Sequence, residues 1–115
     1  MSKRWLYFSD DDFDCVCCGK NWTDFTLIDR LDKLRAEYGA PVKIVSGYRC
    51  EEHNKAVGGV ANSQHVLGKA ADISAANLDK LYEIACRHFK AVGDGRSKGF
   101  IHLDLRQDKQ RRWTY

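Results

Sequence analysis

The sequence has 115 residues, of which 43% are hydrophobic and 30% are charged, as in one globular domain rather than a disordered chain. We therefore predict a single domain over 1–115, with a cysteine-bearing lead-in over 1–22. The net charge of +3 is too small, and the basic residues too scattered, for a nucleic-acid-binding surface. No run approaches the roughly 20 apolar residues of a membrane span, and 1–5 lack the apolar core of a signal peptide. We expect synthesis in the cytoplasm and no insertion into a membrane.

Hydrophobic periodicity predicts three helices and three strands in chain order. The helices span 24–39, 51–57 and 78–89, and the strands span 41–46, 70–74 and 100–105. The glycine-rich segment 93–99 predicts a flexible turn, and the basic residues 109–112 predict a solvated tail or a cell-wall contact. This order predicts an α+β fold with a small antiparallel sheet and flanking helices.

The first long helix carries the clearest start and stop signals. Asp24 is a suitable N-cap, and Gly39 is a suitable C-terminal stop before Pro41. Upstream of this helix, Phe13 follows an acidic run and is predicted to anchor the lead-in.

Two histidines and two aspartates stand where chemistry is expected. His65 lies in an irregular loop, Asp72 lies on the predicted strand 70–74, and His102 and Asp104 alternate on one face of strand 100–105. Two imidazoles and one carboxylate from separate elements suit a zinc site with an open fourth position. The alternative is a set of hydrogen-bonded His–Asp pairs on a half-exposed sheet.

One arginine ends the strand that precedes this loop. Arg49 closes the run Ser-Gly-Tyr-Arg at 46–49, where a cleft would open. A guanidinium there could hold a substrate carboxylate or stabilise an oxyanion. The alternative is an ordinary surface arginine.

Four of the chain's residues form two metal-binding knuckle patterns. Cys15 and Cys18 make a C-x2-C pair, and Cys50 and His53 make a C-x2-H pair. Together they predict a structural zinc site with three sulfurs and one nitrogen. The alternatives are reduced thiols beside a surface histidine, or a disulfide formed after release from the cell. Cys86 stands apart in a helical pattern and is predicted to be buried.

An ordered set of short motifs gives the sequence a family resemblance. The motifs are Ser-Gly-Tyr-Arg at 46–49, Asn54, Val-Gly-Gly at 57–59, Asn62-Ser63 with His65, Gly68 with Ala70 and Asp72-Ile73, and Phe100-Ile101-His102 with Asp104. In this order they resemble the zinc D-alanyl-D-alanine carboxypeptidase and murein endopeptidase family, which shares its zinc-site core with the hedgehog signalling domain. The resemblance is strong over 42–106 and is greatest to short members encoded by bacteriophages.

The resemblance implies a role for each residue at a matching position. It implies that His65, Asp72 and His102 bind a catalytic zinc ion, and that a water activated by zinc attacks the scissile carbonyl. It also implies that Arg49 orients the substrate or stabilises the transition state, and that Ser63 and Gln64 line the substrate loop.

The general base departs from the family pattern. Many relatives carry an acid three residues before the last ligand, and this chain has Gly99 there. Asp104 is the nearest acid by strand geometry, and it would act as the base or hold a ligand histidine. Asp94, in the predicted turn, is a more distant candidate.

The resemblance implies peptidoglycan stem or cross-link peptides as substrates. The reaction would be D-Ala-D-Ala carboxypeptidase trimming or endolysin-like cleavage of a cross-link, by a monomer that acts on the cell wall after release or export. A lytic role would need a holin or another export aid. The alternative is an inactive, zinc-containing module that binds the cell wall or belongs to a phage particle.

Overall fold

The computed structural model describes residues 5–58 and 63–115. The described residues form three α-helices and five strands. The helices are α1 (Phe25–Tyr38), α2 (Glu51–Ala56) and α3 (Leu78–His88), and the strands are β1 (Lys43–Ser46), β2 (Ala70–Ser74), β3 (Ala91–Gly95), β4 (Phe100–Asp104) and β5 (Arg111–Thr114). The three predicted helices and three predicted strands are therefore present, and β3 and β5 are additional.

The strands form one sheet in the order β1-β2-β4-β3-β5. The first four strands pair antiparallel, whereas β5 pairs parallel to β3. The predicted α+β class with flanking helices is confirmed. The sheet is mixed rather than wholly antiparallel because the C-terminal segment adds an edge strand that was not predicted.

Two segments predicted to be irregular belong to the sheet. Ala91–Gly95 forms a strand, and only Arg96–Lys98 after it forms a 3-10 turn. The prediction of a flexible turn over 93–99 was wrong because pairing with β4 and β5 fixes this glycine-rich strand, which has little side-chain alternation. In the basic tail, the Arg112 guanidinium donates to the carbonyls of Phe89 and Lys90, so the tail is docked rather than solvated.

One face of the sheet makes the hydrophobic core. Ile73, Ile101 and Leu103 are fully buried beneath α1 and α3, and the alternate residues of β4 face the opposite side, as predicted. The predicted caps of α1 are confirmed, since Asp24 Oδ1 accepts a hydrogen bond from the Thr26 amide at 2.8 Å and Gly39 is left-handed. Within 5–58 and 63–115, no helix combines the length and the apolar character that crossing a membrane requires.

The N-terminal lead-in packs against α1. Asp10–Phe13 forms a short 3-10 helix, and Phe13 is fully buried, as its predicted anchoring role requires. The Trp5 indole N–H donates to Asp29 at 2.7 Å, and the Tyr7 amide donates to Asp32 at 2.8 Å. These contacts join the segment before α1 to the same core.

Candidate metal centre

The site lies on a row of residues that crosses the whole sheet. In the strand register, Ser46 pairs with Asp72, Asp72 with His102, His102 with Gly93, and Gly93 with Trp113. Residues that pair across strands project to the same face. The row therefore sets a carboxylate beside an imidazole on the face away from the helices.

His65 completes a group of three from the loop before β2. The Nδ1 atom of His102 lies 2.9 Å from Asp72 Oδ1, and the Nε2 atom of His65 lies 3.3 Å from the same oxygen. One ligand atom from each residue lies within 4.8 Å of the others, and all three residues are buried. Two nitrogens and one oxygen at this spacing can hold a metal ion.

Each histidine is oriented by an acceptor on its far side. The Nδ1 atom of His65 lies 2.8 Å from the carbonyl of Gly47, and the Nε2 atom of His102 lies 3.0 Å from Asp104 Oδ2. A ring nitrogen that donates to such an acceptor leaves the other nitrogen with its lone pair free. The nitrogens left to bind a metal ion through their lone pairs are the two that face Asp72. Without the ion, the same nitrogens can carry a proton and donate to Asp72.

Asp104 is fully engaged with its neighbours. It is 0% exposed, and besides the His102 ring it accepts three hydrogen bonds from Arg106: the amide and Nε at 3.0 Å and Nη2 at 2.9 Å. Burial raises the pKa of Asp104, but the bonds from His102 and Arg106 outweigh burial and lower it to about 2. The carboxylate is ionised and fixed, and this geometry favours holding His102 over acting as a base.

The charges around the group favour a cation. Burial raises the pKa of Asp72, but hydrogen bonds from His102 and His65 hold it well below its usual range. Burial lowers the pKa of His102, but the carboxylates of Asp104 and Asp72 on its two sides raise it overall. Positive charge is therefore stabilised between the two carboxylates.

Arg49 lies inside the cleft rather than on the outer surface. Its side chain is 17% exposed, and Nη2 lies 3.3 Å from Asp72 Oδ2. Its Nε donates to Ser46 Oγ at 3.3 Å, and its backbone amide donates to the His65 carbonyl at 3.2 Å. The alternative of an ordinary surface arginine was therefore wrong.

A cleft of about 520 Å³ opens above the group. Ser63 and Gln64 line it, as the resemblance implied, and the Ser63 hydroxyl also accepts from the His65 amide at 3.2 Å. Arg49 and Arg106 contribute guanidinium groups to the same cleft. The cleft is thus polar at its base and basic at its sides.

The aromatic wall of this cleft was not predicted. The rings of Trp113 and Tyr115 lie 5.3 and 6.4 Å from the His102 ring. Trp113 reaches this position because Gly93, its partner on β3, has no side chain in the way. The alternation of residues 111, 113 and 115 was the signal that could have predicted a strand here.

Arg106 was also missed. It follows Asp104 by two residues, so extending the even-numbered face of β4 past Asp104 would have found it.

The carboxylates available to substrate are few. Gly99, at the position where the resemblance led us to expect an acid, has a φ of +86°. Asp94 accepts three hydrogen bonds from Arg96, from the amide at 3.0 Å, Nε at 2.9 Å and Nη2 at 2.7 Å, and it does not line the cleft. Among the described residues, Asp72 is the only acid that lines the cleft.

A second group of potential ligands lies in the lead-in. The sulfurs of Cys15, Cys18 and Cys50 lie within 4.8 Å of one another, and no His53 nitrogen belongs to this group. The structure therefore brings together three of the four predicted ligands. Cys86 is half-buried on α3 rather than fully buried, and it packs against the core.

Part of the motif set falls outside the described residues. Gly59 and Asn62 lie there, as do the first four residues of the predicted lead-in.

Comparison with known proteins assigns the chain to a family. A search of the curated proteins returned no match. A family model described as Peptidase M15 matches residues 7–104, which include the three cysteines and the His65, Asp72 and His102 group. The match covers most of the chain, and the chain therefore belongs to the Peptidase M15 family.

Proposed function

We propose that the chain is a zinc-dependent peptidase that hydrolyses peptidoglycan stem or cross-link peptides, as a D-Ala-D-Ala carboxypeptidase or a murein endopeptidase. Family membership supports peptide hydrolysis by a metallopeptidase. The observation that carries the proposal is the convergence of three buried donor atoms at the base of an open cleft.

The donor set suits a catalytic zinc rather than a structural one. His65 Nε2, His102 Nδ1 and an Asp72 carboxylate oxygen would hold the ion, and three protein ligands leave a fourth position for water or substrate. When bound, zinc acts as a Lewis acid on the scissile carbonyl and lowers the pKa of a coordinated water to about 7.

The contacts of Arg49 support a role in binding the acidic or developing negative part of a substrate. Its contacts to Ser46, Asn54 and Asp72 use one N–H group on each guanidinium nitrogen. A guanidinium has five N–H donors, so two remain for a substrate carboxylate or an oxyanion. A D-Ala-D-Ala terminus offers such a carboxylate.

The aromatic side chains supply the apolar part of the site. Phe100, Trp113 and Tyr115 line one side of the cleft and pack against one another and the His102 ring. They exclude water beside the reacting bond and offer contact surface for alanine methyl groups. Tyr115 also lines the cleft, and we propose its hydroxyl as the proton donor for the leaving amine.

A specific observation supports a second candidate. Asp72 is the sole acid among the described lining residues, and Asp104 is occupied by His102 and Arg106. A chain that binds zinc and peptidoglycan without cleaving it would have this arrangement. The second candidate is therefore an inactive module of the same fold that binds the cell wall.

Product analysis separates the two candidates. Purified protein is incubated with stem pentapeptides and with cross-linked muropeptides, with zinc and with a chelator, and the products are weighed by mass spectrometry. We expect zinc-dependent loss of the terminal D-Ala or separation of the cross-linked strands. His102→Ala should abolish the product, whereas His88→Ala, a change on α3 outside the cleft, should retain it. Bound zinc with no product from any substrate would contradict the peptidase and support the inactive module.

A further inference from the structure

The turn that carries Cys15 and Cys18 has the geometry of a metal-binding knuckle. The Gly19 amide donates to the Cys15 carbonyl at 2.8 Å, and the Cys15 amide donates to the Lys20 carbonyl at 2.8 Å. Gly19 has a φ of +74°, a conformation that glycine adopts without strain. The turn therefore brings the sulfurs of the C-x2-C pair to the same side.

Cys50 meets this turn from a distant part of the chain. Its amide donates to Cys15 Sγ at 3.4 Å, and its own Sγ accepts from the His53 amide at 3.4 Å. Backbone N–H groups aimed at sulfur stabilise the thiolate form, which is the form that binds metals. A segment 35 residues away thus completes a cluster of three sulfurs.

We propose that Cys15, Cys18 and Cys50 hold a structural zinc ion, separate from the His65, Asp72 and His102 group. Three thiolates within 4.8 Å of one another supply three of the four ligands of a tetrahedral structural zinc site.

A metal bound to these cysteines would cross-link the lead-in to the loop that contains Arg49. Cys50 directly follows Arg49, and the preceding residue, Tyr48, donates its amide to the Phe13 carbonyl at 2.9 Å. Zinc across Cys15, Cys18 and Cys50 would therefore fix the backbone on both sides of the contact and hold Arg49 in the cleft.

Cobalt substitution tests this site without relying on activity. The full chain is kept reduced with a non-thiol reductant and titrated with Co²⁺, and the spectrum is recorded. We expect two equivalents of bound cobalt and a sulfur-to-cobalt charge-transfer band, which a site of two histidines and one aspartate cannot produce. Cys18→Ser, a change at an exposed residue, should lose the band and one equivalent.

Matched variants assign the signal. His102→Ala should keep the band and lose the other equivalent, and Cys86→Ser should keep both.

X-ray absorption of the unaltered chain tests the proposal even where a variant fails to fold. X-ray absorption of the zinc-loaded protein should show a sulfur shell at about 2.3 Å beside a nitrogen and oxygen shell at about 2.0–2.1 Å. A reduced, folded chain with no sulfur shell and no charge-transfer band would overturn the proposal. A disulfide between these cysteines that persists under the reductant would also overturn the proposal. Mass spectrometry would detect it as a mass lower by two hydrogen atoms.

Discussion

Asp104→Asn is expected to weaken zinc binding by removing the orientation of His102. The side chain is fully buried and its two oxygens accept four hydrogen bonds, one from His102 and three from Arg106. Asparagine has the same shape but only one side-chain oxygen. Its NH2 group must therefore take the position of Oδ1 or of Oδ2, and both positions face hydrogen-bond donors. The structure indicates which side.

The amide group is expected to face His102. If the asparagine NH2 group took the position of Oδ1, it would face two other donors, the Arg106 amide and Nε, and neither can become an acceptor. If the NH2 group took the position of Oδ2, it would face Arg106 Nη2 and His102 Nε2. A neutral imidazole can shift its proton to the other ring nitrogen, so that Nε2 accepts a hydrogen bond from the NH2 group. His102 would then carry its proton on Nδ1, the nitrogen that faces Asp72.

A protonated Nδ1 cannot bind a metal, so zinc affinity must fall. Loss of a hydrogen-bond partner behind a ligand typically costs 10–100-fold in metal affinity, which corresponds to about 1.4–2.7 kcal/mol. Competition with a chromophoric chelator measures this affinity, and the charge-transfer band reports on the cysteine site separately. Asp108→Asn is the control, because Asp108 pairs with Arg111 on the surface and does not line the cleft.

The opposite pattern would refute this reasoning. If Asp104→Asn retains full zinc affinity but loses peptide cleavage, Asp104 acts on the reaction as a proton acceptor and not by orienting His102.

Three further changes test other parts of the structure. Gly93→Ala would place a methyl group 2.6 Å from the Trp113 ring, so it should cost about 1–3 kcal/mol of unfolding free energy in urea and raise KM; normal values would show that β5 is not seated there. Asp94→Asn should destabilise the fold at pH 7, because the side-chain hydrogen bond from Arg96 lowers the pKa of Asp94. This stabilisation is present above the unfolded pKa of about 3.9 and is lost as pH falls through the folded value. The difference in melting temperature between the variant and the unaltered chain should therefore disappear in acid, and a difference that persists there would exclude the ion pair. Asp24→Ala should cost about 1 kcal/mol through loss of the α1 cap, measured by urea unfolding, and no change would contradict the capping role.

Alternation along two strands predicted the centre of the site. Asp72 and His102 occupy polar positions within apolar strands, and their pairing in neighbouring strands follows from antiparallel register. The same alternation predicted Asp104 beside His102, because the two residues share one face of β4. The carbonyl of Gly47 was not, since its contact with His65 depends on how a loop folds back.

The C-terminal part of the sheet depended on tertiary pairing. Ala91–Gly95 contains two glycines and carries no clear alternation, so no local signal distinguishes it from a turn. Its place between β4 and β5 fixes it, and β5 then supplies Trp113. An error in one strand therefore hid both the mixed sheet and the aromatic wall.

The cysteine cluster shows the same division between local and distant information. The C-x2-C turn is a local feature, and it was predicted from spacing. The distant partner Cys50 was predicted because it heads a second pair, but spacing does not encode that the His53 ring lies outside the cluster of three sulfurs.

The central claim is that His65, Asp72 and His102 bind the metal on which peptide hydrolysis depends. Anomalous diffraction at the zinc absorption edge, from crystals grown with zinc, tests it most directly. We predict an anomalous peak between His65 Nε2, His102 Nδ1 and the Asp72 carboxylate, and its loss in Asp72→Asn. A zinc-loaded crystal with no peak at these three residues would contradict the account.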